Sequence, residues 1–195
     1  MRVAAIQMVS CTRVEDNLRA AHALLAEAAR AGAELAVLPE YFCVMGQRDT
    51  DKLALQEPLG AGPLQDWLCA TARELNLWLV GGTLPLALEP ADAARVRNAS
   101  LAFAPSGERV ACYDKIHLFK FDDGTRTYDE AAVLAAGRQP VCFDLPSRDG
   151  HRWRVGMSVC YDLRFPELYR AYAAAGADLL LVPAAFTHVT GQAHW

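Results

Sequence analysis

Three residues of complementary chemistry each stand at the end of an apolar run. Glu40 follows Leu35-Ala36-Val37-Leu38-Pro39, Lys115 follows Val110-Ala111-Cys112-Tyr113-Asp114, and Cys160 follows Val155-Gly156-Met157-Ser158-Val159. A thiol with the ordinary pKa of about 8.5 is a weak nucleophile at neutral pH. A nearby ammonium favours the thiolate, and a nearby carboxylate can take the proton. Attack on an amide then builds negative charge on oxygen. The lysine and the backbone N–H of Tyr161, next after the cysteine, are the groups to hold it. The carboxylate can return its proton to leaving ammonia and later activate water. Together Glu40, Lys115 and Cys160 form a complete set for hydrolysing a carbon–nitrogen bond through a thioester. Spacing alone leaves a plainer reading open for each: a buried strand-end cysteine, an exposed strand-end carboxylate and a solvated loop lysine.

Such a set requires strands that end together. Residues 2–8 read as a strand, and Asp16 as the N-cap of a helix through Ala29 with Leu18, Ala21, Leu25 and Ala28 on one face. Gly32 can close that helix. Glu34 to Leu38 is a short buried strand, Leu64 to Leu75 a helix with Pro63 near its start, and Trp78 to Leu84 another strand. Residues 89–96 read as a loop. Asn98 to Ala104 and Arg109 to Tyr113 form a hairpin around Pro105-Ser106-Gly107. Lys120 to Gly137 has no clear period and reads as a long functional loop. Val141 to Leu145 and Arg152 to Val159 are strands, Pro166 to Ala175 a helix, and Ala177 to Val182 the last strand. The pattern predicts an α/β layered domain with a mixed sheet, in which sites gather beyond the carboxyl ends of strands.

The chain has 195 residues, is 53% hydrophobic and 22% charged, and carries a net charge of -4, which favours one soluble globular domain. That charge gives no reason to expect nucleic acid or an anionic membrane as partner, and no apolar run is long enough to span a bilayer. Six cysteines without a CxxC pair or a secretory leader read as reduced thiols in the cytosol. Cys43, Cys69, Cys112 and Cys142 read as packing residues. His188 and His194 lack acidic partners at ligand spacing, so neither a metal nor another cofactor is expected. His117, two residues after Lys115, reads as a structural hydrogen-bonding residue ahead of a Cys–His dyad. The chain ends at His194-Trp195 without a closing element, which suggests that further sequence belongs to the fold.

Three segments carry a resemblance. Leu38-Pro39-Glu40-Tyr41-Phe42, Asp114-Lys115-Ile116-His117-Leu118-Phe119 and Ser158-Val159-Cys160-Tyr161-Asp162-Leu163-Arg164-Phe165-Pro166-Glu167 resemble, in order, the signature segments of the nitrilase superfamily of carbon–nitrogen hydrolases. Ala4-Ala5-Ile6-Gln7 and the stretch from Ala185-Phe186-Thr187 to Trp195 fit as well. The resemblance implies a four-layer αββα sandwich of the nitrilase type, with its C-terminal part missing from this chain. It implies metal-free catalysis with Glu40 as general base, Lys115 as oxyanion cation and Cys160 as nucleophile, in a homodimer or higher homo-oligomer. Many members use a second glutamate after the lysine; Glu130 is the matching candidate, and its plainer reading is a loop charge.

The three segments, with Thr190-Gly191-Gln192-Ala193-His194-Trp195, are most similar to the Nit branch, which includes omega-amidases and deaminated-glutathione amidases. The implied substrate is a small carboxamide that also bears a carboxylate, which needs a cationic anchor. Arg164 is one candidate for that anchor, with a salt bridge to Glu167 or another acid at the helix start as its equally weighted alternative; Arg126 and Thr187 are weaker pocket candidates. A nitrilase, an N-carbamoyl-amine hydrolase or an inactive scaffold remain the alternatives at this level.

Overall fold

Two β-sheets stack face to face, with helices on their outer surfaces. The computed structural model describes residues 1–90, 92, 94–122, 124, 127–186 and 188–194. In chain order the elements are β1 (Val3–Ala5), α1 (Val14–Arg30), β2 (Leu35–Val37), α2 (Pro63–Leu75), β3 (Trp78–Val80), β4 (Leu84–Leu86), β5 (Val96–Phe103), β6 (Arg109–Asp114), β7 (Lys120–Asp122), β8 (Thr127–Asp129), β9 (Leu134–Ala135), β10 (Val141–Pro146), β11 (Arg152–Met157), α3 (Pro166–Ala174), β12 (Leu179–Leu181) and α4 (His188–His194). Single-turn 3-10 segments cover Glu130–Ala132 and Cys160–Arg164.

The larger sheet runs β1-β2-β3-β5-β4, with β6 and β9 also paired to β5. Strands β1, β2 and β3 are parallel; β5 is antiparallel to both β3 and β6. Strands β2 and β6 therefore point the same way, and the residues that follow them emerge at one end of the sheet. The smaller sheet runs β10-β11-β12.

The layering follows from side-chain alternation. In β2, Ala36 faces the layer that holds Ala21, Leu25, Leu68 and Ala72 of α1 and α2. Its neighbour Leu35 faces the opposite way, into the space between the sheets with Val80, Tyr113, Phe143, Val155 and Met157. A strand buried on both faces reads as a continuous apolar run, which is what Leu35-Ala36-Val37 is. Leu25 is fully buried, a contribution of about 2 kcal/mol. On the far side, α3 sets Tyr172 against Gly156 of β11. Helix, sheet, sheet and helix thus stack in the expected αββα order.

Several sequence expectations are corrected. Helix α1 begins at Val14, with Asp16 in its first turn and not at the N-cap; the Asp16 carboxylate pairs with Arg13 at 3.1 Å and Arg19 at 3.2 Å. The strand expected over Trp78 to Leu84 is two strands, broken at Gly82, whose φ is +47°. A Cβ there would overlap the Pro39 carbonyl oxygen, so the break lets the Glu40 segment cross. The stretch from Lys120 to Gly137 is not structureless: it holds the β7–β8 hairpin, a 3-10 turn and β9. The first and last strands are shorter than expected, and α4 follows β12 where no element was expected. Helix α2 begins at Pro63 and is capped by buried Glu57, which accepts the N–H groups of Leu64 at 2.6 Å and Gln65 at 3.2 Å.

Candidate active site

Glu40, Lys115 and Cys160 meet at the carboxyl ends of β2, β6 and β11. Lys115 Nζ donates to Glu40 Oε1 at 3.1 Å, and both side chains are 1% exposed. The Lys115 backbone is tied on both sides: its N–H donates to the Asn98 carbonyl at 3.0 Å, and its carbonyl accepts the Gly137 N–H at 2.8 Å. Gly137 is required at that point, because a Cβ would overlap the Asp114 carbonyl oxygen.

Cys160 opens the 3-10 turn after β11 with φ at +49°. This left-handed conformation is costly for any residue with a Cβ and is typical of strained functional turns. It is held by the Cys160 N–H donating to the Pro183 carbonyl at 2.9 Å. Burial pushes the thiol well above its ordinary pKa, and the Glu40 carboxylate pushes it further; the Lys115 ammonium opposes both. The lysine favours the thiolate, as its charge requires, but burial and Glu40 together outweigh it. The Cys160 side chain faces the Glu40 carboxylate.

Both oxygens of Glu40 are committed. Oε1 also accepts from Asn98 Nδ2 at 3.0 Å, and Oε2 accepts the Ala185 N–H at 3.0 Å. Glu130 sits on the other side of the lysine. Its Oε1 and Oε2 lie 2.9 Å and 2.8 Å from Lys115 Nζ, and Oε2 accepts the Phe119 N–H at 2.7 Å. Lys115 is thus a cation between two carboxylates. Burial lowers its pKa, but Glu40 and Glu130 outweigh that and raise it, so the ammonium persists across physiological pH.

Tyr41 completes the cluster. Its φ is +56°, its N–H donates to Thr83 Oγ1 at 2.9 Å, and its hydroxyl donates to Glu130 Oε1 at 3.2 Å. Burial, then the Glu40 and Glu130 charges, hold the phenol well above its usual pKa, so it stays a donor. Lys52 lies over the Tyr41 ring at 4.5 Å.

These groups line a cleft of about 520 Å³, walled by Phe119, Phe121, Tyr161 and Phe186, with Arg164 and Lys120 also lining it. Lys120 pairs with Asp129 at 2.9 Å. Glu167, the alternative partner considered for Arg164, pairs with Arg170 at 3.3 Å through one carboxylate oxygen. Arg126 and Thr187 lie outside the described residues. His117 is held by Asp162, with Nδ1 2.7 Å from Oδ1, and stacks on Phe165; it has the structural role expected of it. No helix among the described residues is long and apolar enough to cross a membrane.

Sequence reasoning missed Asn98, Tyr41, Gly137 and Asp162. Tyr41 and Asp162 lie inside the quoted segments, next to Glu40 and two residues after Cys160. The visible signal for Asn98 is an amide inside a strand whose following residues are mostly apolar.

A layered α/β fold that buries a carboxylate–ammonium pair beside a strained cysteine defines a class, a hydrolase acting on carbon–nitrogen bonds. Comparison with known proteins agrees. Residues 2–195 match the family model described as carbon-nitrogen hydrolase. Over 194 residues the chain is 38% identical to a deaminated glutathione amidase of Synechocystis, covering 98% of this chain and 69% of that protein. Over 196 residues it is 37% identical to the omega-amidase of Homo sapiens, covering 100% of this chain and 67% of that protein. The crystal structure of the C. elegans NitFhit protein superposes with a TM-score of 0.85 at 33% identity, over 99% of this chain and 46% of that one. The chain therefore belongs to the carbon–nitrogen hydrolases of the nitrilase superfamily.

Proposed function

We propose that this chain hydrolyses a small carboxamide and releases ammonia, with Glu40 as general base, Cys160 as nucleophile and Lys115 as oxyanion cation. The observation that carries the reading is the 3.1 Å contact between Lys115 Nζ and Glu40 Oε1, buried beside the strained Cys160 turn.

The chemistry runs in two halves. The Cys160 thiol gives its proton to Glu40 as sulfur attacks the amide carbon. The resulting oxyanion is held by the Lys115 ammonium and the Tyr161 N–H, one of the early N–H groups of a turn that have no acceptor within it. Collapse breaks the carbon–nitrogen bond, and the proton on Glu40 leaves with ammonia. Glu40 then takes a proton from water, hydroxide attacks the thioester, and that proton returns to sulfur as the acid departs. Glu130 orients Lys115 throughout and keeps it charged.

The substrate class is an omega-amide of a dicarboxylic or α-keto acid, or deaminated glutathione. Two similarities support this, to a deaminated glutathione amidase and to an omega-amidase. So does the cleft itself, in which aromatic walls accompany Arg164, a cation suited to a substrate carboxylate. We take the enzyme to be a cytosolic homo-oligomer without a cofactor; light scattering tests the assembly.

The test is ammonia release from α-ketoglutaramate, deaminated glutathione and succinamate, beside a nitrile and an N-carbamoyl amine. Turnover confined to the nitrile or the carbamoyl compound overturns the amide assignment. Full activity in Cys160→Ala overturns the cysteine chemistry.

A further inference from the structure

Asp162 is 0% exposed, and four donors converge on its carboxylate. Oδ2 accepts the Tyr113 hydroxyl at 2.6 Å and the Val159 N–H at 2.9 Å. Oδ1 accepts the His117 N–H at 2.9 Å and faces His117 Nδ1 at 2.7 Å, so that nitrogen carries the proton. Burial and the neighbouring Asp162 hold the Tyr113 phenol far above its ordinary pKa, which keeps it a donor.

The positions of these donors matter more than their number. Tyr113 and His117 bracket Lys115, two residues to either side. Val159 immediately precedes Cys160, and Asp162 itself lies two residues beyond the cysteine. One carboxylate therefore grips the backbone on both sides of the nucleophile and both flanks of the lysine. The two segments come from different sheets, β6 and β11, and no covalent link fixes their spacing. The His117 ring also stacks on Phe165, with centroids 3.6 Å apart and planes 7° from parallel, which closes a second tie between the same segments.

We propose that Asp162 is a positioning residue: it holds the left-handed Cys160 turn at its working distance from Lys115 and Glu40. It touches no reacting atom. A carboxylate suits the role because it only accepts, and an amide would aim a donor at donors. This rests on Cys160 being the nucleophile, so the test uses a reading of the thiol that does not depend on turnover.

The experiment compares wild type with Asp162→Asn and His117→Phe, the second keeping a ring on Phe165 while removing the Nδ1 donor. Iodoacetamide labelling of Cys160 is followed by peptide mass spectrometry, well below each melting midpoint, with kcat and KM measured alongside. Labelling of Cys160 is expected to quicken about tenfold in Asp162→Asn and severalfold in His117→Phe, because a released turn exposes the thiol and draws it away from Glu40, while kcat falls by a similar factor with KM within about twofold of wild type. A merely structural role would lower the melting midpoint and leave labelling of the folded protein at the wild-type rate; that result in both variants overturns the proposal. If Asp162→Asn does not fold, His117→Phe alone decides it. If wild type turns over no amide, the hydrolase reading fails, while the labelling comparison still tests the positioning.

Discussion

Asn98 serves Glu40 and Lys115 with two different groups. Its side-chain Nδ2 donates to Glu40 Oε1 at 3.0 Å, and its main-chain carbonyl accepts the Lys115 N–H at 3.0 Å. Residue 98 of β5 thus sets the separation of the base and the cation. Asn98→Ala keeps the backbone contact and removes the other, leaving Glu40 held only by Lys115 and the Ala185 N–H. We expect kcat to fall about tenfold to a hundredfold with little change in KM, measured by steady-state ammonia release. A rise in KM alone would place Asn98 in substrate binding instead.

Lys115 lies buried between two carboxylates, so removing its charge strands both. Lys115→Met is expected to abolish turnover and to cost about 3–5 kcal/mol of stability by denaturant unfolding. The double variant Lys115→Met/Glu40→Gln should recover part of that stability without recovering activity. Equal stability of the two variants would show that the cost is one of packing and not of charge.

The pH dependence of the thiol has a definite sign. Burial and Glu40 raise the Cys160 pKa, and Lys115 lowers it. Labelling by iodoacetamide requires the thiolate, so its rate should climb with pH around a midpoint above the ordinary value of about 8.5. Glu40→Gln removes a raising charge and should shift that midpoint down. Lys115→Met removes the lowering charge and should shift it up. A wild-type midpoint below the ordinary value would contradict the balance of charges described above.

Strain at the nucleophile predicts an inverted substitution order. Glycine normally costs stability relative to alanine, but at a φ of +49° the Cβ is what is penalised. Cys160→Gly should therefore be more stable than Cys160→Ala by about 1 kcal/mol, read from urea midpoints. The usual order would mean that the turn relaxes once the thiol is gone.

Tyr41→Phe removes a donor from Glu130 and retains the ring beneath Lys52. We expect kcat to fall severalfold and the melting midpoint to drop by several degrees, because a single hydrogen bond to a charged group contributes about 1.5–3 kcal/mol. An unchanged kcat would assign the hydroxyl to the fold alone.

How much of this was legible in the sequence depends on the range of the interaction. Glu40, Lys115 and Cys160 each follow an apolar run, and runs show directly in a sequence. Helix α2 was legible because Pro63 marks its start, and the β5–β6 hairpin because a turn separates two apolar stretches. Glu130 was found by resemblance, not by pattern, since a 3-10 turn of three residues carries no period. Asn98 and Gly137 escaped because their roles exist only across strands: one reaches Glu40 over 58 positions, and the other meets the Asp114 backbone by close approach. The β7–β8 hairpin was hidden by its shortness: each strand has three residues with one aromatic, Phe121 or Tyr128, between polar neighbours, too few to show a period. The Trp78 to Leu84 stretch was overread because Gly81 and Gly82 sit inside an apolar run, and only the crossing Pro39 segment shows why the strand must stop there.

The β5–β6 hairpin pairs Ala99 with Asp114 at the site end, and its register shifts between Ala102 and Phe103 near the turn at Pro105 to Gly107. A side chain one position out of step points to the opposite face, so the end that bears Asn98 and Lys115 tolerates no slippage. The irregularity at the other end acts as slack. Residues gained or lost at the turn can be absorbed there before they reach the site, whereas the same change beside Asp114 would turn the lysine away from its carboxylates. For anyone grafting loops or tags into this protein, the two ends of one short hairpin are opposite prospects.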